Sequence, residues 1–330
     1  MEPYSPYPKI PERQGLSNYR AQAWAVTEKA HGAHVAVNCR PDGSVLAASR
    51  KRPLGSAELD GFFGLSRIWP QLSVAAQRYA ALLRGHYGPD AEVTVFGELA
   101  GGHYPHPDVP AVPGYEPVQT GVWYSPRVEL LMFDTAVDTA GDRVWISQQR
   151  MRDAAVRAGL LCVPLLAVGP LHRVQGVTPG GSTLIPALLG LPAIPDNRAE
   201  GIVVAVAEEW RGEARPQAKA KIDRFAEDSR YDGSRPYAPP PDGAAGLPAW
   251  LLAEAVALLA PARAAAAVSK LGPGVPLDAV AQEIVADALA DLDTAVGGLA
   301  EHAEPCRRAL IPAARVLAQH DAEDRATRRL

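Results

Sequence analysis

Apolar residues alternate with polar ones, or form short continuous runs, at positions 23–26, 34–38, 44–48, 92–96, 128–133, 143–146 and 201–207. A period of two with β-branched enrichment marks strands that are buried on one or both faces. Pro41-Asp42-Gly43, between the second and third runs, supplies the chemistry of a hairpin turn. Residues 72–84 and 147–158 switch to helical spacing, and Ser147 is placed to cap the second of these. The pattern predicts a mixed, mostly antiparallel α+β domain over residues 1–233.

Residues 234–248 break that pattern. Arg235-Pro236-Tyr237-Ala238-Pro239-Pro240-Pro241-Asp242-Gly243 cannot continue a helix or a central strand, which predicts a linker. Residues 249–271, 277–292 and 305–319 are rich in Ala and Leu with apolar positions three and four apart, and Gly272-Pro273-Gly274 separates the first two. A small all-helical domain over 249–330 is expected, and its basic residues include Arg263, Lys270, Arg307, Arg308 and Arg315.

Composition narrows the class. The 330 residues suit two domains, and 47% hydrophobic content is that of an ordinary globular protein. Cys39, Cys162 and Cys306 are widely spaced and form no metal-like pair, which points to a reducing compartment. No apolar run is as long as a membrane span and the N-terminus lacks a signal-peptide pattern, so a cytoplasmic protein with no membrane partner is expected. A net charge of −4 argues against a globally basic coat for nucleic acid. It leaves room for a local basic groove at Arg50, Lys51 and Arg52, or at Arg215, Lys219, Lys221 and Arg224.

Five short patterns follow one another along the chain: Glu28-Lys29-Ala30-His31-Gly32, Phe96-Gly97-Glu98, Met132-Phe133-Asp134, Ala199-Glu200-Gly201 and Ala218-Lys219-Ala220-Lys221. Each alone is weak, and their order is what carries information. Together they resemble nucleotidyl-transfer motifs I, III, IIIa, IV and V of the covalent nucleotidyltransferases, the group of RNA ligases, DNA ligases and capping enzymes. His31 stands where DNA ligases and capping enzymes usually carry Asp. It narrows the resemblance to the RNA ligase 2 family, the phage-type and RNA-editing ligases that seal nicked duplex RNA. Helices after the catalytic domain fit that family too, because DNA ligases and capping enzymes usually continue into an OB barrel. Lys51-Arg52-Pro53, followed by Phe62-Phe63-Gly64, resembles motif Ia and the segment after it.

The resemblance implies an ATP-dependent RNA ligase. Lys29 would attack the α-phosphorus of ATP and store the bond energy as lysyl-AMP, splitting one hard step into easier ones. AMP would then pass to an RNA 5′-phosphate, and an RNA 3′-hydroxyl would displace it, most plausibly at a nick in duplex RNA. Lys219 and Lys221 alternate, so on a strand they share a face, an arrangement that is costly unless an anion lies between them. The family places them at the α-phosphate, where fixed cations lower the barrier. His31 is associated with the sealing chemistry. Glu28, Arg52, Phe133 and Asp134 are implied nucleotide contacts, Arg52 through two-point phosphate binding and Phe133 through stacking on the base. Glu98, near the ribose or a metal, and Glu200 offer hard oxygens for Mg2+ or Mn2+.

Three departures bear on substrate preference rather than on the first step. Ala33-His34 stands where the family usually has Thr-Asn, Val204-Ala205-Val206 lacks the usual lysine, and Pro53 replaces a small polar residue. The same chemistry on a DNA end, a single-stranded RNA end or a protein is one alternative. A non-catalytic nucleic-acid-binding module is another, although intact Lys29, Glu98, Glu200, Lys219 and Lys221 count against it. His103 and His106 have loose metal spacing and are expected to be loop residues.

Overall fold

The computed structural model describes residues 5–12, 15–140, 142–222, 246–272 and 274–327. Most of the expected linker, and Arg224, lie outside them. Two compact units divide the chain, Met1–Pro236 and Tyr237–Leu330.

The first unit is built on two sheets. β1 (Trp24–Lys29), β9 (Leu165–Gly169), β10 (Gly201–Val206) and β12 (Gln217–Lys221) form an antiparallel sheet in the order β12-β10-β1-β9. The larger sheet holds β2 (Ala33–Cys39), β3 (Val45–Ser49), β4 (Pro53–Leu54), β5 (Glu92–His103), β6 (Ser125–Thr139), β7 (Asp142–Trp145) and β11 (Trp210–Arg211). Its order is β11-β7-β6-β5-β2-β3-β4, with β8 (Leu161–Cys162) joining β6 in parallel. The expected turn at 41–43 closes β2 onto β3: Arg40 N–H donates to Ser44 O over 2.9 Å, and Gly43 takes φ +86°, where a side chain would strain.

Helix α1 (Trp69–Tyr87) packs on one face of the larger sheet. It buries Leu72, Ala76, Tyr79, Ala80 and Leu83, spaced to fall on one side, against Val35, Val37 and Val95. Each fully buried leucine there contributes on the order of 2 kcal/mol. The Tyr79 hydroxyl lies 2.9 Å from that of Thr135, so its polar end is satisfied within the core. Helix α2 (Gln148–Ala158) adds Met151, Ala154 and Ala155 to the same core, and Ser147 caps it by accepting from the Arg150 N–H at 3.3 Å. Two single-turn helices, α3 (Leu171–Val174) and α4 (Ile185–Leu188), follow β9.

The expected strands at 92–96 and 128–133 are much longer in the structure. Gly97 and Gly101 interrupt the apolar alternation, and the β5–β6 register shifts beside each of them instead of ending. A strand also reaches His103, whose ring meets Trp123 edge-on at 5.2 Å, so His103 is not a loop residue.

The second unit is all-helical: α5 (Ala249–Ala257), α6 (Pro261–Leu271), α7 (Leu277–Val296) and α8 (Ala303–Thr327). The expected single helix at 249–271 is two, meeting at 67°. Pro261 opens α6, where the missing N–H has no intrahelical partner to lose. Val280, Ile284, Leu289 and Leu292 of α7 pack with Trp250, Leu251, Cys306 and Leu310 to form its core.

Candidate active site

β1 belongs to the smaller sheet and β2 to the larger, and only Ala30, His31 and Gly32 separate them. A cavity of about 650 Å³ lies at this crossing and is lined from both sheets. Ala25, Thr27 and Lys29 line it from β1 while Trp24 and Val26 alternate into the core on the opposite face, and Glu28 borders the cavity too, with its carboxylate bound to Thr183 and Leu184. Pairing aligns three rows across the smaller sheet: Lys29–Gly201–Lys221, Thr27–Val203–Lys219 and Ala25–Ala205–Gln217. Lys219 and Lys221 both line the cavity, as alternation on β12 requires.

Glu200 is the electrostatic centre. Its carboxylate accepts from Lys29 Nζ at 2.5 Å, lies 3.1 Å from Lys221 Nζ and is 3.5 Å from His31 Nδ1. Burial would raise its pKa, but Lys29 and His31 overcome that and hold it well below the usual carboxylate range. Burial lowers the pKa of His31 against the opposing pull of Glu200. The His31 backbone N–H donates to Tyr124 Oη at 2.9 Å, which fixes the chain beside the nucleophile candidate. Lys219 instead faces Glu12, at 3.4 Å, on a short segment that pairs with β12.

Glu98 enters from β5. Burial pushes its carboxyl up to about 7, Lys29 pulls it down, and the nearby Glu200 charge raises it again. Gly32 makes this approach possible. A Cβ there would stand 2.1 Å from Leu99 O and 3.1 Å from Glu98 Cγ.

The four expected nucleotide contacts all line the cavity, and three of them have polar partners of their own. The Glu28 carboxylate accepts from the Thr183 hydroxyl and, at 2.8 Å, from the Leu184 N–H, so it anchors the loop before α4. The buried Asp134 accepts from Tyr7 Oη at 3.0 Å and from the Thr135 N–H at 2.8 Å, and pairs with Arg215 at 3.4 Å. Arg52 stands exposed at the cavity rim, bound to Glu58 at 2.6 Å. The fourth, Phe133, has the Tyr7 ring edge-on at 5.1 Å and His34 at 5.8 Å. His34 is pushed down to about 4 by burial and Arg50, and neither of its ring nitrogens has a hydrogen-bond partner.

Arg215 corrects the expected basic cluster. It is a buried strut that donates to Val206 O at 3.1 Å and to Ile146 O. Tyr7, Gln148, Tyr124 and Thr183 were absent from the motif pattern because each is a single polar residue brought in from a distant segment. Among the described residues no group of three His, Cys, Asp or Glu is arranged to hold a metal by itself.

A family model described as RNA ligase matches residues 22–221. The mitochondrial RNA-editing ligase 2 of Trypanosoma brucei brucei is 30% identical over 204 residues, covering 55% of this chain and 48% of that protein. The chain thus spans about half the length of the curated relative it matches. Among solved structures, a mutant Naegleria gruberi RNA ligase with ATP and Mn aligns at TM-score 0.42 and 12% identity, over 68% of this chain and 58% of that one. The same organism's RNA ligase with PPi aligns at 0.41 and 13%, with the same coverage.

Proposed function

The chain belongs to the RNA ligase family, and on that premise we propose that it is an ATP-dependent enzyme joining RNA 3′-hydroxyl and 5′-phosphate ends at nicks in duplex RNA. In the first step Lys29 Nζ loses a proton to solvent and bonds to the α-phosphorus of ATP, while the bond from that phosphorus to pyrophosphate breaks. An oxygen of the RNA 5′-phosphate then attacks the same phosphorus, and lysine leaves with a proton. Finally the RNA 3′-hydroxyl attacks the 5′-phosphorus, its proton departs and AMP is expelled.

The observation that carries this reading is the convergence of Lys29, Lys221 and His31 on one buried carboxylate, Glu200, with Lys219 on the same cavity wall. So many cations at one cavity end are balanced best by a polyphosphate, and their fixed positions favour the charge that develops during transfer. Lys29 must leave its 2.5 Å contact with Glu200 before it can attack, and an incoming phosphate provides the competing anion.

Glu98 and Glu200 suit a hard divalent cation, Mg2+ or Mn2+, whose other ligands are phosphate oxygens and water. The cation would neutralise charge on the phosphates, and it would bring the raised Glu98 carboxyl to its ionised form. The expected preference for a duplex follows from the A-form groove, which displays 2′-hydroxyls for shape-based recognition. Cys39, Cys162 and Cys306 are all free thiols, in keeping with the cytoplasmic reading.

The test is incubation with α-labelled ATP and a divalent metal, followed by denaturing electrophoresis. One covalent AMP per chain, released by pyrophosphate, is expected. Sealing of nicked duplexes that differ only in the sugar flanking the nick then identifies the acceptor.

A further inference from the structure

We infer that Gln148 reads the base of the bound nucleotide, its side-chain amide selecting adenine by a two-point hydrogen bond at the inner end of the cavity. This rests on the nucleotide-binding reading above and adds the residue that sets base preference.

The three rows of the smaller sheet act as a ruler. Lys29 and Lys221 mark the first row and Lys219 the second, while Ala25, Ala205 and Gln217 carry no charge in the third. Four strand residues separate the first row from the third, roughly 13 Å. Phosphates held at the cationic rows direct the base toward the neutral row, past Val203 and Phe133, which line the cavity between.

Gln148 lies at that neutral end. Its backbone N–H donates to Ala207 O at 2.8 Å, two residues beyond Ala205, and its side chain lines the cavity while only 5% exposed. Asp134 is engaged there by Tyr7, Thr135 and Arg215, and Gln217 by the Tyr7 hydroxyl at 2.8 Å, while the unpartnered His34 ring carries its two nitrogens on separate edges and cannot grip two adjacent base atoms. The Gln148 amide differs from the engaged groups, because its Oε1 is buried without a hydrogen-bond partner. A buried acceptor left in that state is unfavourable, and a ligand that donates to it is correspondingly favoured. Adenine offers an amine donor next to a ring-nitrogen acceptor, and a carboxamide is complementary to that pair. Guanine places a carbonyl where adenine has the amine.

The experiment is equilibrium binding of ATP, GTP and purine riboside triphosphate, which lacks the exocyclic amine, to the full chain and to its Gln148→Met variant. Wild type should bind ATP about 10- to 100-fold more tightly than either competitor. Gln148→Met should bind ATP and the purine analogue alike, at about the analogue's wild-type affinity. Equal wild-type affinities for ATP and the analogue would overturn the inference without recourse to any variant. A variant that keeps the preference, or weakens both ligands equally, would overturn it too. Binding needs no chemistry, so discrimination without lysyl-AMP faults the ligase reading, while lysyl-AMP formed equally from both triphosphates faults the role of Gln148.

Discussion

The two units deploy charge in opposite ways. The first carries twenty-five acidic and twenty-five basic residues, and gathers Lys29, Lys219 and Lys221 at one cavity with Glu200 between two of them. The helical unit carries twelve acidic and eight basic residues, and several of its described cations are paired with acids of the same unit. Arg263 is held between Asp287 and Asp291, Lys270 by Glu283, Arg307 by Glu304 at 3.5 Å and Arg315 by Asp278 at 2.9 Å. Exposed pairs of this kind contribute little, and a cation already paired gains less from an RNA phosphate. In the cavity Lys219 is paired too, with Glu12, but Lys29 and Lys221 share a single carboxylate, Glu200, and that sharing is what sets the cavity apart.

The largest test of this contrast is the nucleophile. Lys29→Ala and Lys29→Arg should both abolish AMP labelling, arginine because its guanidinium stays protonated. Lys270→Ala, in the helical unit, should label like the parent. Measurable labelling of Lys29→Ala would remove the contrast altogether.

Next come the flanking cations. Lys219→Ala and Lys221→Ala should each slow single-turnover adenylylation about a hundredfold, the scale of losing one fixed contact to the transition state. Arg315→Ala serves as the matched change in the other unit and should leave the rate alone.

A smaller effect follows from pH. The Glu98 carboxyl is raised to about 7, so its charged form appears only as pH climbs through that value. A bound cation would hold it ionised near neutral pH, so the raised value belongs to the metal-free chain, where Glu98→Gln should remove its titration. Stability moves the other way. Between the ordinary carboxylate range and 7 the folded chain holds a proton the unfolded chain has released, so this group's contribution declines as pH rises through that window. Denaturant titration at pH 5.5 and 7.5, with and without the substitution, reads that difference.

The smallest effect belongs to the helical unit itself. Lys270→Ala removes one surface pair and should shift a thermal melt only slightly, with adenylylation unchanged.

Lys29, Glu200 and Lys221 were legible at or near strand ends, whereas Glu98 and Phe133 lie in the middle of β5 and β6, strands that run on past the ends the sequence suggested. The shared face of Lys219 and Lys221 followed from alternation, the pairing of β1, β10 and β12 brings Lys29 and Glu200 to them, and Glu98 joins from β5 of the larger sheet. Arg215 was misread because proximity in sequence to Lys219 suggested a shared surface, whereas it lies before β12 and turns into the core. Tyr7 and Gln148 carried no period at all. Tyr7 lies in an irregular N-terminal segment, and Gln148 follows a capping serine with the composition of any exposed first turn. Their placement depends on tertiary packing, which a window of sequence does not contain.

Gly32 has a mechanical consequence. The three residues from Ala30 to Gly32 weld the two sheets together, and at Gly32 the weld has no slack, since the Leu99 carbonyl fills the space a methyl group would need. Shear between the sheets is transmitted directly through this joint. The first unit should therefore melt as one cooperative body, both sheets losing structure in a single transition, and any methyl forced in at position 32 should loosen both sheets at once.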